Sequence, residues 1–142
     1  MNDFGRGIYI LDLSEKKEIL QEKSGDRGMT FSPPADIFET GDGLHIVIEV
    51  PGVDVESLSV DVAGNRLIIA GMKEDRRIEG GAVFLCMERS YGRFRKTFEF
   101  TGAVNMLSAR ASYREGVLKI HVDRCEEKRG RGKKVKIEVD GD

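Results

Sequence analysis

The sequence predicts an all-β protein folded as an antiparallel sandwich. Three observations carry that expectation. Apolar residues recur with a period of two from Asp36 to about Asp123, turn signals rich in Gly, Pro and Asn interrupt the alternation, and no long segment of helical period lies between them. Alternation buries one face of each strand and wets the other, which two sheets packed face to face satisfy. A length of 142 residues suits one domain with short tails.

Residues 1–32 read as an N-terminal arm. Ile8, Leu11 and Leu13 are spaced to line part of a helix, and the charged run Glu15-Lys16-Lys17-Glu18 follows. Gly25, Gly28 and then Pro33-Pro34 end regular structure. The arm has too few large apolar residues for a core of its own. The domain proper runs over residues 33–123. Leu44, Ile46, Ile48 and Val50 alternate with His45, Val47 and Glu49 until Pro51-Gly52 stops the strand. Leu58, Val60 and Val62 repeat the pattern, and Gly64-Asn65 makes a tight hairpin into Arg66–Ala70. Phe94, Phe98 and Phe100 alternate along the next strand. Ala109–Tyr113 turns at Glu115-Gly116 into Val117–Val122, with Gly116 supplying the positive φ of such a turn.

Two segments stand outside this pattern. Met72–Arg77 is mostly charged and Gly80-Gly81 is a flexible joint, yet Val83-Phe84-Leu85-Cys86-Met87 is apolar and reads as a further short strand. A strand carried on a long loop either pairs within its own chain or is given to a second copy. Residues 124–142 form a C-terminal linker and tail. Cys125–Lys134 is a solvated linker, after which Val135-Lys136-Ile137-Glu138-Val139 returns to alternation. That tail is either the last strand of the same domain or a bridge to another copy.

Several functions are disfavoured. The net charge of −2 gives no electrostatic reason to seek nucleic acid or an anionic membrane. The basic stretch Lys128–Lys134 is the one candidate for a nucleic-acid contact, but no aromatic residue is interleaved for base stacking, so a linker is the better reading. No apolar run approaches the ~20 residues of a membrane helix. Met1-Asn2-Asp3-Phe4 does not begin a signal peptide, which makes the cytoplasm the expected compartment and Cys86 and Cys125 expected free thiols. His45 and His121 fall at outward strand positions without a partner cluster and read as surface residues rather than metal ligands. With no G-x-S-x-G elbow and no phosphate-binding loop, neither catalysis nor ATP use is expected, and no cofactor.

Five segments in order then carry a resemblance. They are Pro34-Ala35-Asp36-Ile37-Phe38-Glu39-Thr40, Glu49-Val50-Pro51-Gly52-Val53, Glu88-Arg89-Ser90-Tyr91-Gly92-Arg93-Phe94, Ala111 with Gly116-Val117-Leu118, and Ile137-Glu138-Val139, with Val135-Lys136-Ile137 overlapping the last. Together they resemble the α-crystallin domain of small heat shock proteins of the bacterial and plant type, over roughly residues 34–139. The resemblance implies an immunoglobulin-like sandwich and an ATP-independent holdase chaperone of the stress response. Its implied partners are a second copy in a dimer, further copies in a larger homo-oligomer, and unfolding client proteins.

On this reading the tail residues Val135, Ile137 and Val139 add as a strand to an edge groove expected between the Leu67–Ala70 and Val117–Val122 strands. Leu67, Ile69, Val117, Leu118 and Ile120 would line that groove. The stretch from Asp123 to Lys134, at ~3.3–3.6 Å per residue, could span up to ~40 Å to a neighbouring copy. A dimer interface is expected at Phe84, Leu85, Met87, Arg93, Arg95 and Lys96. The sequence departs from the family pattern at Lys96, where arginine is usual, at Thr101, where proline is usual, and in its short arm. Lysine lacks the planar fork of arginine, and its position in register with Phe94 and Phe98 points to an interface edge. The competing reading is a monomeric co-chaperone of the p23-like type, on a related sandwich, binding one specific partner.

Overall fold

A computed structural model describes residues 9–13, 31–74, 80–102, 104–124 and 133–140. The strands are β1 (Tyr9–Asp12), β2 (Ala35–Thr40), β3 (Gly43–Glu49), β4 (Ser59–Ala63), β5 (Arg66–Lys73), β6 (Gly92–Thr101), β7 (Arg110–Arg114), β8 (Val117–Asp123), β9 (Lys133–Val135) and β10 (Ile137–Val139). They form two five-stranded sheets, ordered β1-β6-β5-β4-β9 and β10-β7-β8-β3-β2. All neighbours are antiparallel except β10 on β7.

Most of the core is the set of alternating residues read from the sequence, and Val53, Val104 and Met106 join it from the connecting segments while Leu58 is only half-buried. Leu44, Ile46 and Ile48 of β3 and Leu118, Ile120 and Val122 of β8 belong to one sheet; Val60, Val62, Leu67, Ile69, Phe94, Phe98 and Phe100 of β4–β6 belong to the other. All are essentially excluded from solvent, each such side chain contributing about 1.5–3 kcal/mol of gross burial energy.

The hairpins fall where the turn signals put them. Gly64-Asn65 joins β4 to β5, and Glu115-Gly116 joins β7 to β8, with φ of 51° and 79° at the last two residues. Positive φ at both central residues suits the right-handed twist of the flanking strands. The second hairpin also packs on the Pro51-Gly52 turn. The Val50 N–H donates to the Gly116 carbonyl at 2.8 Å, and the buried Tyr113 hydroxyl donates to the Val50 carbonyl at 3.0 Å. Burial pushes the Tyr113 phenol pKa above its ordinary value. Two sequence motifs some 60 positions apart are thus one contact.

Two expectations are corrected. The arm does not form a helix over Tyr9–Asp12. These residues are β1, paired antiparallel with β6 from Tyr9↔Thr101 to Asp12↔Phe98, and the Leu13 N–H continues the ladder to the Thr97 carbonyl at 2.8 Å. So short a piece cannot nucleate its own helix, whereas a sheet edge offers it a ready set of partners. The apolar segment Val83–Met87 is not a strand. It runs through an irregular, exposed stretch over residues 80–90. Ile8, the charged run at 15–18, Cys125 and the basic run up to Gly132 lie outside the described residues.

Candidate functional site

The surfaces able to recruit another polypeptide are the sheet edges, because only there do backbone groups lack an in-sheet neighbour. The expected groove between β5 and β8 is not an edge. β5 lies between β4 and β6, and β8 lies between β7 and β3. Leu67, Ile69, Leu118 and Ile120 are therefore core residues with 0–1% exposure, and Val117 is half-buried at the start of β8. Leaving out the tail strands β9 and β10, the outermost strands on that flank are β4 in one sheet and β7 in the other, and the groove lies between them.

The tail occupies this β4/β7 groove by switching sheets. β9 adds antiparallel to β4, with Val135 opposite Val60; after Lys136 the chain adds parallel to β7, with Ile137 opposite Ala111 and Val139 opposite Tyr113. Val135 is buried, Ile137 is half-buried against the core, and Val139 remains 47% exposed. The anchoring pair is thus Val135 and Ile137, one for each sheet. Ion pairs flank it, Lys134 to Asp61 at 3.1 Å and Arg114 to Asp140 at 3.0 Å. Exposed pairs of this kind contribute little and are screened by salt. Within the chain the tail closes its own sandwich.

The other flank is different. β1 covers the edge of β6, but among the described residues no strand pairs with the outer side of β2. Asp36, Phe38 and Thr40 of β2 are exposed. The same chain displays Val83, Phe84, Leu85 and Met87, with Leu85 96% exposed. Large apolar side chains held this openly are unusual on a folded surface. Arg93 and Arg95 are also exposed, on the outer face of β6. Lys96 departs from expectation. The face it shares with Phe94 and Phe98 is the core face, Lys96 is only 7% exposed, and its Nζ sits 5.9 Å from the Phe98 ring centre. That distance allows a cation–π contact.

His45 and His121 lie on the outer face of the β3/β8 pair, as the alternation indicated, but they are not isolated. Their Nδ1 atoms are 3.3 Å apart. Burial, then the neighbouring His121, hold the His45 pKa below its ordinary value. A depressed histidine pKa means the unfolded chain binds the proton more tightly. Stability is therefore fully present above about pH 6.5, the unperturbed value, and is lost as pH falls towards the lower folded value. His45→Gln is expected to flatten this acid limb between pH 7 and pH 5 in urea-unfolding midpoints; an unaltered slope would exclude His45 as its origin.

The family model for the Hsp20/alpha crystallin family matches residues 36–139. The chain is 30% identical over 109 residues to small heat shock protein C2 of Rickettsia felis, covering 77% of this chain and 68% of that protein. It is 28% identical to the 22.0 kDa heat shock protein of Arabidopsis thaliana, covering 78% and 57%. The chain thus spans somewhat over half to two thirds of the length of these two relatives. Among solved structures, HSP18.5 from E. histolytica matches with a TM-score of 0.61 at 29% identity, over 70% of this chain and 93% of that one. The hspA protein of Xanthomonas axonopodis matches with a TM-score of 0.60 at 26% identity, over 66% and 94%.

Proposed function

Because this chain belongs to the Hsp20/alpha crystallin family of small heat shock chaperones, we propose that it is an ATP-independent holdase that captures unfolding proteins on its sheet edges. The observation that supports this reading most is the β4/β7 groove. It is apolar, it runs between the two sheets, and two three-residue strands close it. Burial of Val135 and part of Ile137 contributes ~2–4 kcal/mol gross, and ordering the tail removes part of that. A closure this weak opens reversibly on warming. The uncovered groove then offers backbone partners and apolar pockets to an extended client segment.

Assembly follows from the same surfaces. The exposed segment Val83–Met87 of one copy is suited to lie along the unpaired β2 edge of another, giving a homodimer. Tails seated in the grooves of neighbouring copies instead of their own build larger homo-oligomers. Segment exchange of this kind uses contacts the chain already makes. The protein acts without enzymatic turnover, nucleotide or cofactor, in the cytoplasm. No helix among the described residues is long and apolar enough to cross a membrane.

The decisive experiment heats a thermolabile client protein with the full chain and no nucleotide while light scattering is recorded. Aggregation should be suppressed at near-stoichiometric ratios. Leu85→Asp should lower the sedimentation coefficient of the dimer towards that of a monomer, because it places a charge where an apolar contact is needed. A monomeric wild-type chain without protective effect would favour the single-partner co-chaperone reading instead.

A further inference from the structure

We propose that His45 and His121 form a two-imidazole binding site for one divalent metal ion of the zinc class, on the outer face of the sheet that contains β3 and β8. The chain has two histidines in all, and both are in this one place. They are cross-strand partners, His45 opposite His121 in the β3/β8 ladder, with ring centroids 4.5 Å apart. The site lies on the face of the sheet beside β2, whose Phe38 and Thr40 touch His45, and it does not depend on the chaperone reading.

The nitrogen geometry points to a metal. Zinc–imidazole bonds are ~2.0–2.1 Å long. An ion at that distance from two Nδ1 atoms 3.3 Å apart subtends an angle of about 107°, close to tetrahedral. The opposite nitrogens are already engaged. His121 Nε2 meets Asp123 Oδ1 at 3.1 Å, and His45 Nε2 meets Thr40 Oγ1 at 2.8 Å. A carboxylate on the far nitrogen is a usual outer partner of a metal-bound histidine, fixing its ring and raising its basicity, and the Thr40 hydroxyl oxygen can accept from His45 in the same way. Phe38 stacks on the His45 ring at 4.9 Å and 8°, which holds the plane of that imidazole.

Without metal, one proton occupies the gap between the two Nδ1 atoms, donated by one ring and accepted by the other. When an ion replaces it, His45 shifts that proton to Nε2 and Thr40 turns from donor to acceptor. Both rings stay neutral and no proton need be released. The charges around the site are mixed. Asp42 favours a cation beside His45, whereas Arg110 opposes it, and Arg110 Nη1 shares the same Asp123 oxygen at 3.2 Å. Among the described residues no cluster of three or more His, Cys, Asp or Glu surrounds the position. The protein therefore supplies two ligands, and water or an outside donor fills the remaining positions.

The test is equilibrium dialysis of the full chain against Zn²⁺ at pH 7.5, with the visible spectrum of the Co²⁺ form as a second readout. One ion should bind per chain, with tetrahedral d–d bands and no thiolate charge-transfer absorption. His45→Ala and His121→Ala should each weaken binding at least tenfold, and Asp123→Asn about tenfold. Should an alanine variant lose its fold by circular dichroism, His45→Gln and His121→Asn take its place. Absence of stoichiometric binding, binding unchanged in both histidine variants, or a thiolate signature from Cys86 or Cys125 would overturn the proposal.

Discussion

Ending the chain after Gly132 is expected to reduce every assembly larger than a dimer to dimers and to raise the binding of apolar dyes. The deletion removes β9 and β10, uncovering the outer backbone of β4 and β7 together with the apolar surface under Val135 and Ile137. The lost burial, ~2–4 kcal/mol gross per tail, is modest for one contact but is repeated at every junction of an oligomer, where linked contacts reinforce one another. Point substitutions sharpen the expectation. Val135→Asp and Ile137→Asp should each approach the effect of the deletion, since they put a carboxylate into a position that is buried or half-buried. Val139→Asp should change little, because Val139 is already half exposed. Sedimentation velocity separates the outcomes. Large assemblies that survive the deletion would mean that the tail serves only to seal its own sandwich, the arrangement seen within this chain.

The strands and the inward residues of this fold were legible because each is a local pattern. Leu44-Ile46-Ile48 and Leu118-Ile120-Val122 alternate with period two, and Gly64 and Glu115-Gly116 mark the hairpins between them. Strand order is not local, and there the sequence misled. Leu67, Ile69, Leu118 and Ile120 have the same alternation whether their strands lie in the middle of a sheet or at its border, so the groove was placed one strand too far inward on each sheet. Lys96 was misplaced for a related reason. Its register with Phe94 and Phe98 was read correctly, but a lysine on a core face contradicts the ordinary preference of the residue, and the pattern does not reveal a cation over an aromatic ring. β1 was missed because its four residues become a strand only when the edge of β6 is beside them. The proximity of His45 and His121 depends on the β3/β8 register, which sequence spacing of 76 positions does not disclose.

Gly43→Val is expected to destabilise the sandwich by about 2–6 kcal/mol, among the largest effects available to a single substitution. Gly43 opens β3 opposite both Thr40 and Asp123, so the chain passes close to the end of β8 there. Its φ is +146°, outside the range ordinary side chains adopt readily, and a Cβ would stand 2.2 Å from the Val122 carbonyl oxygen and 3.0 Å from the Arg124 nitrogen. Backbone strain of about 1–3 kcal/mol adds to overpacking of about 1–3 kcal/mol, because the obstructing atoms are main chain and cannot rotate away. For a domain of this size that corresponds to a fall in Tm of roughly 10–40 °C. Gly41 is the internal control. It sits in the same β2–β3 turn with nothing within 4 Å of its Cβ position and without a left-handed φ, so Gly41→Ala should be neutral or stabilising by up to ~1 kcal/mol. Differential scanning calorimetry of the two variants decides the matter: a loss below 5 °C for Gly43→Val would show that the end of β8 yields, and that the turn rather than the close approach selects glycine.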